Sequence, residues 1–216
     1  ANGDRSKPLR IHYPVDDPFV QALKDYLHVK QANRLRYELD WIGLKPGDTL
    51  ELPSCKRPTR IIAFAVNHSP HWQCLGYRIE EQRMKLRPEY QRIQGDRISR
   101  CIRGHEKEYL REDWCPILTY TGDSRPVKDP TSVLQSKVLL IDSTYLDETE
   151  NPEAQHGNIR ASLELGKRAE ISHLILVHIS ARYHLEEIQT AILKYKEAYR
   201  YDGRIGFFYE DVAYDV

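Results

Sequence analysis

Three strand-like apolar runs in this chain each end on a side chain able to bind a metal, and a fourth ends on a second carboxylate. Arg60 to Val66 leads to His68, Ile117 to Gly122 leads to Asp123, Val138 to Ile141 leads to Asp142, and Leu174 to Val177 leads to His178. In an open α/β sheet, ligands sit in the crevice beyond the carboxyl ends of the strands. Imidazoles and carboxylates gathered there can converge on one point, which is the geometry of a metal site.

The rest of the pattern supports such a sheet. Leu9 to Tyr13 reads as a strand, and Asp17 with Pro18 opens a helix that carries Phe19, Leu23 and Leu27 on one face. Alternating segments follow at Tyr37 to Ile42, Thr49 to Leu52, Arg60 to Val66 and Gly76 to Ile79, with a turn over Lys45 to Asp48. A polar connection from about Glu81 to Asp113 separates this β-rich stretch from an alternation of strand and helix. The strands are Ile117 to Tyr120, Val138 to Ile141 and Leu174 to Val177; the helices run from about Asn158 to Ala169 and from Leu185 to Tyr199, after a helical turn begun by Asp129 and Pro130. The last helix repeats apolar residues at Leu185, Ile188, Ile192, Tyr195 and Tyr199, steps of three and four that form one stripe. Arg204 to Tyr209 is the expected closing strand.

Length and charge narrow the function classes. A chain of 216 residues can bury a real core, and one domain spanning residues 1–216 is expected. Basic and acidic residues balance at 32 each, so no whole-molecule field draws in a polyanion and any such contact must be local. Cys55, Cys74, Cys101 and Cys115 show no zinc-finger spacing and read as buried free thiols of a reducing compartment. No run is long enough to span a bilayer, and the polar start is no signal peptide, so a cytoplasmic protein without membrane contact is expected.

Several blocks, taken in order, closely resemble the ribonuclease Z group of the metallo-β-lactamase superfamily. They are Val66-Asn67-His68, Leu75 to Glu81, Tyr120-Thr121-Gly122-Asp123-Ser124-Arg125-Pro126, His156 before a helix, and Leu174 to Tyr183 with its His-Ile-Ser-Ala-Arg-Tyr ending. The resemblance implies an α/β fold of the αββα sandwich type, two zinc ions, and phosphodiester hydrolysis with RNA as the expected substrate. It also implies that His68 and His178 are zinc ligands, that Asp123 bridges the two ions, and that His156 assists at the leaving group. A homodimer is implied as well, because that group often forms one.

Two departures stand beside the likeness. The family's His-x-His-x-Asp-His motif is expected upstream of a segment like Lys7 to Ile11 and is supplied by nothing in this sequence, which gives the expectation of a fold incomplete at its N-terminus and associated with a missing N-terminal half. The Gly- and Pro-rich arm with which ribonuclease Z grips transfer RNA is replaced by Leu86 to Gln91, and the family's His-Glu-Ala-Thr tetrad becomes Ile141-Asp142-Ser143-Thr144.

Each candidate also has a plainer reading. His178 within an apolar run reads as a core histidine, Asp123 as a turn residue, and His156 as a surface side chain, while His71 competes with His68 as the ligand. Asp142 is read as a catalytic carboxylate or as one that only orients a ligating imidazole. Arg125 and Arg182 can bind phosphate oxygens or belong to a solvated face. The leading reading is a metal-dependent hydrolase; the alternatives are a catalytically inactive relative that binds nucleic acid or protein, and a hydrolase of thioesters or lactones.

Overall fold

The computed structural model describes residues 7–31, 37–92, 101–149 and 155–216. Strands β1 (Leu9–Pro14) and β2 (Leu39–Leu44) pair in parallel as a small sheet, with helix α1 (Pro18–Gln31) between them in sequence. The other strands are β3 (Thr49–Glu51), β4 (Thr59–Val66), β5 (Cys74–Leu86), β6 (Leu110–Tyr120), β7 (Val138–Asp142), β8 (His173–Val177), β9 (Arg204–Tyr209) and β10 (Val212–Asp215). They form one eight-stranded sheet in the order β10-β9-β8-β7-β6-β5-β4-β3. The short helix α2 (Glu106–Tyr109) precedes β6, while α3 (Ile159–Arg168) and α4 (Leu185–Ala198) follow β7 and β8.

Register assigns the two faces of the large sheet. Leu139 pairs with Leu174 and Leu174 with Ile205, while Ile141 pairs with Leu176 and Leu176 with Phe207, so these six side chains share a face. That face packs on Ile159 and Leu163 of α3 and Ile188 and Ile192 of α4, and all ten are essentially closed to solvent. Burying each such side chain contributes roughly 1.5–3 kcal/mol. On the opposite face, Ala63 and Leu75 meet Leu44 of β2, with Ile42 and Tyr77 packed alongside. The outer face of the small sheet carries Tyr13 and Trp41, and Lys24 of α1 lies over both rings, 4.7 and 5.7 Å from their centres. The layers therefore run helices, sheet, sheet, helix.

Caps explain where the helices begin. Asn158 accepts from the Ala161 N–H at the start of α3, and Asp129 accepts from Thr131 at a 3-10 turn over Pro130–Ser132. Glu187 reaches back to the His184 N–H at the start of α4.

The structure departs from the sequence pattern in three places. Much of the expected polar connection is strand: β5 runs on to Leu86 and β6 begins at Leu110, and the two pair along this whole length. Polar partners line both faces there, such as Gln82 with Glu112 and Arg111 with Asp113, so apolar alternation is lost although the ladder persists. Residues 93–100 of that connection lie outside the described residues. The Phe19 and Leu23 stripe of α1 faces solvent, with Phe19 67% exposed and edge-on to Trp72. Among the cysteines, all free, only Cys115 is buried. No helix among the described residues is long and apolar enough to cross a membrane.

Candidate metal centre

Strand direction gathers the candidate side chains. β6, β7 and β8 are successive parallel neighbours, and β4 runs antiparallel to β5, which runs antiparallel to β6. All four therefore point their carboxyl ends toward one edge of the sheet. His68 follows β4, Asp123 follows β6, Asp142 closes β7 and His178 follows β8. Gly122 (φ 64°) and His178 (φ 61°) take left-handed backbone just beyond their strands and turn the chain sharply at this edge.

Asp123, His156 and His178 each offer one ligand atom, and these atoms lie within 4.8 Å of one another. His178 Nε2 stands 3.4 Å from Asp123 Oδ2. The His156 and His178 rings stack nearly parallel at 4.9 Å, and His68 meets His156 edge-on at the same centroid distance. His68 thus stands at the margin of the trio rather than within it. His71 is exposed and tilted against Trp72, so His68 is the histidine that this loop brings to the cluster.

Each of the three imidazoles has its Nδ1 committed to an oxygen. His68 Nδ1 lies 3.0 Å from the Gln155 carbonyl, His156 Nδ1 lies 2.8 Å from Asp142 Oδ2, and His178 Nδ1 lies 2.8 Å from Thr144 Oγ1. Histidines that bind metals through one nitrogen characteristically tie the other in this way. Asp142 has no exposed side-chain surface. Besides His156 it accepts from the Ser124 N–H at 2.9 Å, the Thr144 N–H at 3.0 Å and the Thr144 hydroxyl at 2.7 Å. Gly157 packs so closely on the Asp142 carbonyl that a Cβ there would collide with it, which lets His156 reach the carboxylate. Asp142 therefore touches an imidazole of the trio and stands behind it.

The two arginines are placed less tightly. The Arg125 N–H donates to the Asn67 carbonyl at 2.7 Å, tying the loop after β6 to the loop after β4, while its side chain is exposed. The Arg182 guanidinium lies over Tyr145 and Tyr183, 5.0 and 4.7 Å from the ring centres, and bonds the Tyr183 hydroxyl. Sequence reasoning missed Thr144. An aspartate with a threonine two residues on is a familiar side-chain-to-backbone turn, and that spacing was the available signal.

A carboxylate and imidazoles at the carboxyl edge of such a layered sheet define a class, and comparison with known proteins bears on which. No family model matches the chain. The metallo-β-lactamase fold protein YhfI from Bacillus subtilis superposes with a TM-score of 0.55 over 97% of this chain and 66% of that one, at 14% identity, so this is the metallo-β-lactamase fold. Among curated relatives from Arabidopsis thaliana, the chloroplastic tRNase Z TRZ2 is 32% identical over 173 residues, covering 76% of this chain and 47% of that protein. The tRNase Z TRZ1 is 27% identical over 197 residues, covering 87% of this chain and 68% of the relative. The chain thus has the metallo-β-lactamase fold, and its sequence is similar to these tRNase Z proteins. It spans about half the length of the first of these relatives and two thirds of the second.

Proposed function

We propose that this protein is a metal-dependent phosphodiester hydrolase that acts on RNA, as the names of its relatives suggest. The observation that carries the reading is the convergence of Asp123, His156 and His178 with the Nδ1 of each imidazole already tied off. Imidazole and carboxylate donors suit zinc and similar transition ions, so the residues fit the group that the family implies. Asp123 and His178 would hold it, with His68 at the margin available to a second ion. When bound, zinc lowers the pKa of a coordinated water to about 7 and polarises a phosphoryl oxygen.

The protein's own groups do the rest. His156 donates a proton from Nε2 to the departing oxygen while its Nδ1–H stays on Asp142, which fixes the ring as the buried carboxylate of a catalytic triad fixes its histidine. Arg125 and Arg182, on the loops after β6 and β8, would supply guanidinium groups to phosphate oxygens.

The test is cleavage of a short RNA by the purified chain with and without added zinc. The reading expects zinc-dependent cleavage that falls about 100-fold or more in His156→Ala, as loss of a general acid does. RNA that binds the zinc-saturated protein and remains intact contradicts it and favours the binding-module alternative.

A further inference from the structure

Thr144 is a nearly buried side chain standing between the two halves of the site, and the hydrolase reading gives it no task. Its hydroxyl lies 2.7 Å from Asp142 Oδ1 and 2.8 Å from His178 Nδ1. A hydroxyl has a single proton to give. The Asp142 carboxylate already accepts from the Ser124 and Thr144 N–H groups, and the hydroxyl and His156 Nδ1 complete the set on its roughly four lone-pair positions. Were the proton turned toward His178 instead, two oxygen lone pairs would face each other at 2.7 Å in a buried site, which costs far more than the bond gained. The hydroxyl proton therefore goes to Asp142, and toward His178 the oxygen can only accept.

We infer that Thr144 is a positioning residue through which Asp142 sets the tautomer of His178, so that one buried carboxylate orders both stacked imidazoles, His156 directly and His178 by relay. The consequence lies on the far side of the ring. With Nδ1 protonated, His178 Nε2 presents a lone pair to Asp123 Oδ2 at 3.4 Å, two acceptors with no proton between them. That arrangement calls for a cation. Without the relay, His178 is free to carry its proton on Nε2 and close onto Asp123 as an ordinary hydrogen-bonded pair, which occupies both donors. Thr144 thus keeps the site open. The tautomer itself does not depend on the hydrolase reading; only its effect on a bound ion does.

The experiment is long-range proton–nitrogen NMR on the metal-free chain, labelled with 15N-histidine, at about pH 8.5, two units above the ordinary imidazole pKa. Protonated and bare ring nitrogens resonate far apart, so each tautomer is read directly. Wild type is expected to show Nδ1–H at both His156 and His178. Thr144→Val, which keeps the shape and removes the hydroxyl, is expected to move His178 alone to Nε2–H, and Thr144→Ser to restore Nδ1–H. Zinc binding to the same variants is expected to weaken about 10- to 100-fold in Thr144→Val and to recover in Thr144→Ser. Nε2–H at His178 in wild type, or no change of tautomer in Thr144→Val, overturns the inference. Tautomers that switch as stated in a protein that cleaves no RNA support it and count against the hydrolase reading alone.

Discussion

At the scale of single residues, the site depends on close approach. Gly157 lies against the Asp142 carbonyl, so Gly157→Ala must push the loop before α3 away from β7 and take His156 with it. A loss of about 1–3 kcal/mol in urea unfolding is expected, together with loss of the His156–Asp142 hydrogen bond in the NMR experiment above. Tyr201 provides a pH test remote from the site. Its hydroxyl donates to the Ile171 carbonyl, and burial pushes its pKa from 10.0 up to about 12. The folded value is the higher one, so this contribution to stability is intact below pH 10 and is lost as pH rises toward about 12. Tyr201→Phe is expected to lower stability at neutral pH by about 1 kcal/mol and to flatten that alkaline fall in urea midpoints. A fall of unchanged steepness counts against it.

At the scale of elements, legibility followed burial. β7, β8, α3 and α4 were readable because their apolar runs and stripes face one core, and the strand ends named Asp123, Asp142 and His178 in advance. The long pairing of β5 with β6 was not readable, because its ladder is held by backbone and polar pairs that leave no apolar period. The stripe on α1 was readable as a helix but its exposure was not, since periodicity does not tell which way a stripe faces. Choosing between His68 and His71 needed the fold of the loop after β4. Leu174→Ala in β8 is expected to cost about 2–5 kcal/mol, whereas Val29→Ser on the outer face of α1 should stay within about 0.5 kcal/mol; denaturant melts compare them. Glu80, buried in β5, receives Arg60 at 2.6 Å and Arg78 at 2.9 Å, and Arg78 also donates to the carbonyls of Ser132 and Leu134. Glu80→Ala removes the acceptor shared by both guanidinium groups, while Arg78 keeps its carbonyls and Arg60 stays partly exposed over Trp114, and should cost about 1–3 kcal/mol in the same assay.

At the scale of the whole molecule, the fold works as a bracket. Parallel strands deliver acceptors to one edge, the helices pack on one face of the sheet, and a single carboxylate behind the edge orders His156 and, through Thr144, His178. Zero net charge leaves recognition of a polyanion to local groups at that edge. Anomalous diffraction at the zinc edge, from crystals grown with zinc, is the deciding experiment. A peak bonded to Asp123 and His178 Nε2 at about 2.0–2.2 Å is expected, with the His178 Nδ1 contact to Thr144 retained. Zinc bound only elsewhere, with His178 hydrogen-bonded directly to Asp123, would contradict that expectation.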